Sequence, residues 1–347
     1  MVKMEDYRGR QLKIFRGVNP LFMWGVFLAL LLLPLVIRSE YTLSVLIICL
    51  IYGTLAASWN LMVGYAGILS FGHQAFYGLG AYFSAIITMK FQLSPWIGIP
   101  LGGFFAALLS LAIGFPCLRL RIAPYIAIAT LAFSEILLVI CKNWVSLTRG
   151  EMGLSGIPPL QDFSLFGLAI FTFSTGGKIP YYYTMIGIFI LTMLFINFQA
   201  GSKVGLAFRA MRDEQDAAAS LGVNLTRYKL TAFLTGSFFA GITGGFYAHY
   251  ISILAPDAVF GIGEMVEIVA VTLMGGIGTF FGPVLGAFVL VIGLEVLRGL
   301  SDYRLMIYGA VLVILIIMMP HGLLAGLTQL LNKVKTRTAG QLRKAGS

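Results

Sequence analysis

Apolar residues fill this chain in long blocks, and within a block every face of a helix is apolar. Leu21 to Ile37, Tyr41 to Phe76, Trp96 to Leu118, Ile122 to Ser134, Tyr181 to Ala200, Leu230 to Ala248 and Met306 to Met319 are almost free of charge. A helix needs about 20 such residues to cross about 30 Å of hydrocarbon, and shorter runs suffice where neighbouring helices bury part of the surface. Short alternating strands, the mark of a membrane β-barrel, are not the pattern seen. The chain is therefore expected to be all-α, a polytopic transmembrane helical bundle.

Following the blocks in order gives a path. The first span ends near Arg38, the second covers Leu43–Met62, and a glycine-rich third runs from about Leu69 to Met89. The fourth ends at Leu118 and the fifth covers Ala123–Ile140. Residues 142–180, rich in turn formers, read as an external loop. The sixth span, Tyr182–Phe198, leads to a charged cytoplasmic loop over 200–228, and the seventh is Tyr228–His249. Residues 264–299 are too long for one crossing and carry Gly275, Gly276, Gly278, Gly282 and Pro283 in their middle, which argues for a break. Two short crossings, 265–278 and 282–297, and a last span at 305–319 bring the total to about ten, including short or broken helices. The pairs Gly241/Gly245 and Gly282/Gly286 have the spacing that lets helix backbones approach closely.

Charge orients this path. The 24 Lys and Arg outnumber the 14 Asp and Glu, and the chain is 59% hydrophobic. In such a chain a net charge of +10 points to cytoplasmic loops and tails, not to nucleic acid. Lys3, Arg8, Arg10, Lys13 and Arg16 precede the first span; Lys333, Lys335, Arg337, Arg343 and Lys344 follow the last. Residues 1–19 and 321–347 thus read as basic cytoplasmic tails around a transmembrane domain over 20–320, which requires an even number of crossings. The first block ends without a small-residue cleavage site and is expected to stay as a span. Cys49, Cys117 and Cys141 are scattered, as are His73, His249 and His321, so neither a metal site nor any other cofactor is indicated.

One stretch breaks the apolar pattern. FRAMRDEQDAAASLG, residues 208–222, holds five of the Asp, Glu, Lys and Arg residues in fifteen positions. On one helix over 208–221, Arg209, Arg212, Asp213 and Asp216 share an arc, with i,i+4 pairs Arg209–Asp213 and Arg212–Asp216. Ala207, Met211 and Ala218 lie opposite, Ala217 to Ala219 form a small-residue patch, and Gly222 with Asn224 stops the helix. A solvated loop that orients topology would also be charged, but needs neither the alanines nor the stop.

Asp216-Ala-Ala-Ala-Ser-Leu-Gly222 resembles the E-A-A-x-x-x-G loop of ABC importer membrane subunits, with Asp for Glu. RAMRDEQDAAASLGVNLTRYKL, SWNLMVGYAGILSFGHQAFYGLGAY, LAFSEI, GLSGIP and VTLMGGIGTFFGPVLGA together are similar to the branched-chain amino acid permease subunits of the LivM type, over roughly residues 40 to 320. The resemblance implies a permease subunit in the inner membrane of a bacterium, with no enzymatic activity of its own. It implies a second related permease, two cytoplasmic ATPases and an extracytoplasmic binding protein as partners. Arg209, Arg212, Asp213, Asp216, Ala217, Ala218 and Gly222 would then form a coupling helix seated in a cleft of the ATPase. The sequence agrees that the motor lies elsewhere: Gly177-Lys178 is followed by Ile179 and preceded by Thr172 at the first glycine position, so no phosphate-binding loop forms.

Candidates for the translocation route are Gly67, Ser70, Gly72, His73 and Gln74, where glycines can break a helix and expose backbone dipoles, together with Gly275, Gly276 and Glu135. Glu135 lies deep in the fifth span, where a carboxylate is expensive unless paired, protonated or hydrated. It either lines the route or bonds between helices, and His73 likewise either serves the route or is a neutral packed histidine. Glu264 and Glu267 are expected near the external face, and Glu295 is expected to pair with Arg298. The resemblance implies branched-chain or other hydrophobic amino acids as the substrate, with other small solutes such as amides or urea as the alternative. An ion-coupled secondary transporter would need no docking loop, and a membrane enzyme would need a clustered acid, base or nucleophile set.

Overall fold

The structure, a computed structural model, describes residues 20–37, 39–117, 123–165, 168–171, 173 and 177–297, with a few positions between 306 and 323. Five helices, α1 (Pro20–Val36), α2 (Glu40–Asn60), α3 (His73–Phe91), α4 (Pro95–Cys117) and α5 (Ala123–Asn143), follow the first apolar blocks. After the short α6 (Val145–Thr148) come β1 (Leu154–Ser155) and the hairpin of β2 (Phe163–Leu165) and β3 (Leu168–Phe171). Next are α7 (Ile179–Gly201), α8 (Lys203–Asp213), α9 (Gln215–Ser220) and α10 (Leu225–Ile251). β4 (Ile253–Leu254) pairs antiparallel with β1, followed by α11 (Asp257–Phe260), α12 (Ile262–Gly275) and α13 (Gly282–Val296).

Among the described residues, five helical segments are long and apolar enough to cross a membrane: Glu40–Tyr65, Pro95–Pro116, Pro124–Asn143, Ile179–Gly201 and Asp257–Gly275. Helix α10 has 27 residues, about 40 Å at 1.5 Å each, yet its residues are less apolar. The reason is its place at the centre, where small residues replace bulky ones: a Cβ at Gly244 would lie 1.9 Å from Tyr77 O, and one at Gly241 would lie 2.6 Å from the Ala106 Cβ. Backbones pack directly there, as membrane helices do when no apolar solvent difference drives them together. Conversely, α1 and α5 sit at the edge and expose Trp24, Leu28, Leu35, Ile128, Ile136 and Val139. The expected last span 305–319, the tails, Arg119, Arg121 and Arg298 lie outside the described residues, apart from a few positions of that span.

The break expected in 264–299 is present. Helices α12 and α13 form a tight hairpin through residues 276–281, and Gly282 and Gly286 provide the close approach: a Cβ at Gly286 would lie 2.0 Å from Val271 O. α13 returns beside α2, with Ala287 against Gly53 and Glu295 accepting a hydrogen bond from the Tyr41 hydroxyl at the far end. The third expected span needs correction. Leu69 to Gly72 is not helical, and the helix begins only at His73.

Candidate functional site: two helix breaks above an amphipathic loop

Helix α2 ends in a π turn, Leu61–Tyr65, and the chain then doubles back. Ala66 to Gly72 run without regular structure, starting at Gly67 with φ +70°, a conformation suited to glycine. The returning segment is tied to the helix it has just left, because Trp59 Nε1 donates to Ser70 O at 2.7 Å. By the time α3 starts, His73 is level with Ser58, roughly 10 Å back along α2 at 1.5 Å per residue. The α12–α13 hairpin turn meets this break. Asn60, 2% exposed, accepts from Gly278 N–H at 2.8 Å and donates to Thr279 O at 2.9 Å. A Cβ at Gly64 would lie 2.5 Å from Gly278 N, so the two breaks touch through backbone. Asn60 is the residue that sequence reasoning missed; a lone carboxamide closing an apolar run just before Gly64 and Gly67 was the available signal.

Three side chains near the start of α3 hold unused hydrogen-bonding capacity. Ser58 donates its one proton to Leu55 O at 2.8 Å, so its contact with His73 Nε2, also 2.8 Å, has the ring nitrogen as donor. The neutral ring then carries a bare lone pair on Nδ1, which has no partner. By the same reasoning Ser134 donates to Leu131 O and accepts from Gln74 Nε2 at 3.0 Å, leaving Gln74 Oε1 without a partner. Glu135 Oε1, on the next residue of α5, is buried and unpartnered as well. All three atoms are acceptors. Ser70 and Gly72 instead hold the break in place, Ser70 through its carbonyl and Gly72 by lying against Thr130 O. Gly275 packs on Gly282, and Gly276, with φ 117°, starts the hairpin turn.

Beneath the breaks lies the charged stretch, and here the single expected helix is two. α8 ends at Asp213, Glu214 is extended (φ −159°, ψ 109°), and α9 starts at Gln215, whose side chain accepts from the buried Lys229 of α10 at 2.8 Å. The stop is as expected. Val223 N–H reaches Ala218 O and Gly222 N–H reaches Ala219 O, at 3.1 and 2.9 Å, with Gly222 at φ +86°, a Schellman ending. Asn224 does not end this helix; it caps α10 by accepting from Arg227 N–H at 3.0 Å.

The orientation also differs from expectation. Ala207 and Met211 of α8 and Ala218 of α9 are all buried in the bundle, together with Phe208. Ala218 is 2% exposed, so the outward face is the other one: Asp213, Glu214, Asp216, Ala217, Ala219 and Leu221. The cations point away from it. Arg209 donates to Gly205 O and Ala200 O, both at 3.2 Å, and Arg212 Nη1 donates to Gly64 O at 3.0 Å while Nη2 bonds Asp213 at 3.2 Å. A groove of ≈ 310 Å³ follows the α8–α9 junction, lined by Met211 to Asp216 and Leu225.

At the opposite end the 142–180 segment is pinned to the bundle. Pro158 O can only accept, so His249 Nδ1 donates to it at 2.7 Å and Nε2 accepts from Ser84 at 2.9 Å. Lys142 pairs with Asp257 at 2.7 Å. Glu264 accepts a hydrogen bond from the Tyr52 hydroxyl at 3.0 Å.

Apolar helices interrupted by touching breaks, with an amphipathic loop bonded to the first of them, make a polytopic membrane protein. A family model described as "Branched-chain amino acid transport system / permease component" matches residues 41–318, and the chain belongs to that family. It is similar to the high-affinity branched-chain amino acid transport system permease protein LivM of Escherichia coli (strain K12), 32% identical over 82% of this chain and 70% of the relative. It is also similar to LivH of Salmonella typhimurium, 25% identical over 79% and 91%, and to a probable LivM of Methanocaldococcus jannaschii, 22% identical over 79% and 90%. No solved structure matches the chain.

Proposed function

We propose that the chain is the membrane-spanning permease subunit of an ABC importer in a bacterial inner membrane, carrying branched-chain or other hydrophobic amino acids. An extracytoplasmic binding protein delivers the substrate, a second related permease completes the pore, and two cytoplasmic ATPases drive access from one side to the other. The observation that carries this reading is the α8–α9 pair. Phe208, Met211 and Ala218 fix it to the bundle from within, and it offers an acidic, small-residue face with Leu221 85% exposed. Such a face suits a groove lined by cationic side chains with an apolar socket, and Ala217 and Ala219 let the partner approach closely. Both termini and the 200–228 loop lie on the cytoplasmic side, and 142–180 lies outside.

Along the route, His73 Nδ1, Gln74 Oε1 and Glu135 Oε1 are acceptors, the complement of a substrate's ammonium group, while the breaks at Gly67 and at Gly275–Gly276 give way during transport. Ser70 and Gly72 hold the first break. The exposed apolar faces of α1 and α5 meet lipid or the second permease. The test is reconstitution of both permeases and the ATPases in liposomes with the binding protein. Leucine uptake should require ATP, and the ATPase should co-purify with the permease. Uptake by this chain alone, driven by an ion gradient and abolished by an ionophore, would refute the reading.

A further inference from the structure

We propose that Arg212 is a positioning residue that transmits motion of the cytoplasmic loop to the helix breaks. Its guanidinium bonds both the end of α2 and the exposed Asp213 beside it, and its backbone touches the returning chain. Nη1 donates to Gly64 O inside the π turn that ends α2, where terminal carbonyls lack intrahelical donors and a cation is favoured. Nη2 bonds Asp213, whose side chain is 71% exposed on the outer face of the loop. The Arg212 backbone abuts the returning chain as well: a Cβ at Gly67 would lie 2.9 Å from the Arg212 Cα. Gly64 in turn lies against Gly278, and Asn60 clamps Gly278 and Thr279. A contiguous path of backbone contacts and hydrogen bonds therefore runs from an exposed carboxylate, through one forked cation, to both breaks.

The fork gives the path its sense. A cationic side chain of the ATPase that binds Asp213 competes with Nη2. That competition displaces the guanidinium, and Gly64 O with it, so the π turn and the 276–279 turn change together. Lysine carries the same charge on a compact ammonium, without the planar fork that spans Gly64 O and Asp213. This inference rests on the importer reading above.

The experiment uses the complete reconstituted transporter with its liganded binding protein, and measures ATP hydrolysed per leucine moved. That ratio does not depend on how much ATPase is bound, and a purely structural defect would lower both quantities together. Arg212→Lys should raise the ratio about tenfold while ATPase co-purification stays within about twofold of wild type. Asp213→Asn, at an exposed position that folding does not need, should raise it in the same direction. The double variant should be no worse than Arg212→Lys alone, as expected for two residues in one path. A wild-type ratio in both single variants, or effects that multiply in the double variant, would overturn the proposal. So would loss of ATPase co-purification in Arg212→Lys in proportion to uptake, which would place Arg212 on the docking rim. Failure of the wild-type complex to couple uptake to ATP would refute the importer reading instead.

Discussion

Asn60 is where one substitution should do the most damage to the bundle. Its carboxamide joins the end of α2 to a turn more than 200 residues away, accepting from Gly278 N–H and donating to Thr279 O at 2.8 and 2.9 Å. Asn60→Ala removes both bonds at a site where Asn60 is 2% exposed and Gly278 is buried, so water cannot replace them without opening the contact. Each buried group left unpaired costs about 1–3 kcal/mol, which makes the pair worth about 2–6 kcal/mol. Asn60→Asp keeps the acceptor for Gly278 N–H but loses the donor to Thr279 O and buries a charge, so it should be no milder. Cys49 and Cys141, 0% and 5% exposed, supply the assay. In a Cys117→Ser background a thiol-reactive fluorophore reports opening of the bundle in detergent, and both variants should lower the thermal midpoint by several degrees. A midpoint within about a degree of wild type for Asn60→Ala would show that backbone contact alone holds the breaks together.

Three further outcomes are expected. Glu135→Gln should keep leucine uptake within about threefold and Glu135→Leu should lower it more than about tenfold, because the buried position calls for a hydrogen-bonding group more than for a charge; loss of uptake in an assembled Gln variant would show that the charge itself matters. In intact cells a membrane-impermeant thiol reagent should label Gln161→Cys and leave Asp213→Cys untouched, and the reverse pattern would invert the topology. Ala219→Trp, on the outer face of the loop, should abolish ATPase co-purification with an unchanged thermal midpoint, whereas Ala218→Trp, on the buried face, should lower the midpoint; equal effects of the two would remove the distinction between the faces.

Much of this architecture was legible in the sequence because unbroken apolar runs leave a chain few alternatives in hydrocarbon. Helix existence followed from the runs, and the hairpin at 276–281 followed from Gly275, Gly276, Gly278, Gly282 and Pro283, which no continuous helix would tolerate. Helix starts were harder. Leu69 to Gly72 are as apolar as the helix they precede, and the bond from Trp59 to Ser70 O and the packing of Gly72 on Thr130 hold them out of it. Those partners lie 11 and 58 residues away, beyond the reach of any local pattern. Strand β1 was hidden for the same reason, since it finds its partner in β4, 100 residues on.

The charged stretch shows what periodicity can and cannot decide. At 100° per residue on one helix, Ala207, Met211 and Ala218 share one side, and Arg209, Arg212, Asp213 and Asp216 share another. The extended Glu214 splits that helix in two, and periodicity does not say which side of either piece faces the bundle, because a membrane subunit has both a core and a surface for an apolar, small-residue face to meet. Burial of Phe208, Met211 and Ala218 decides it, and the partner's face must then be the charged one. Within that face the arginines and the acids separate again. Arg212 lies where it can reach the uncapped carbonyls at the end of α2, which attract a cation and repel a carboxylate, so the acids are left outward. A stretch that is nearly balanced in charge as sequence is therefore polarised as structure, with Arg209 and Arg212 turned to backbone carbonyls of the bundle and Asp213, Glu214 and Asp216 exposed. On the importer reading proposed above, that polarity lets one loop grip an ATPase on one side and the membrane helices on the other.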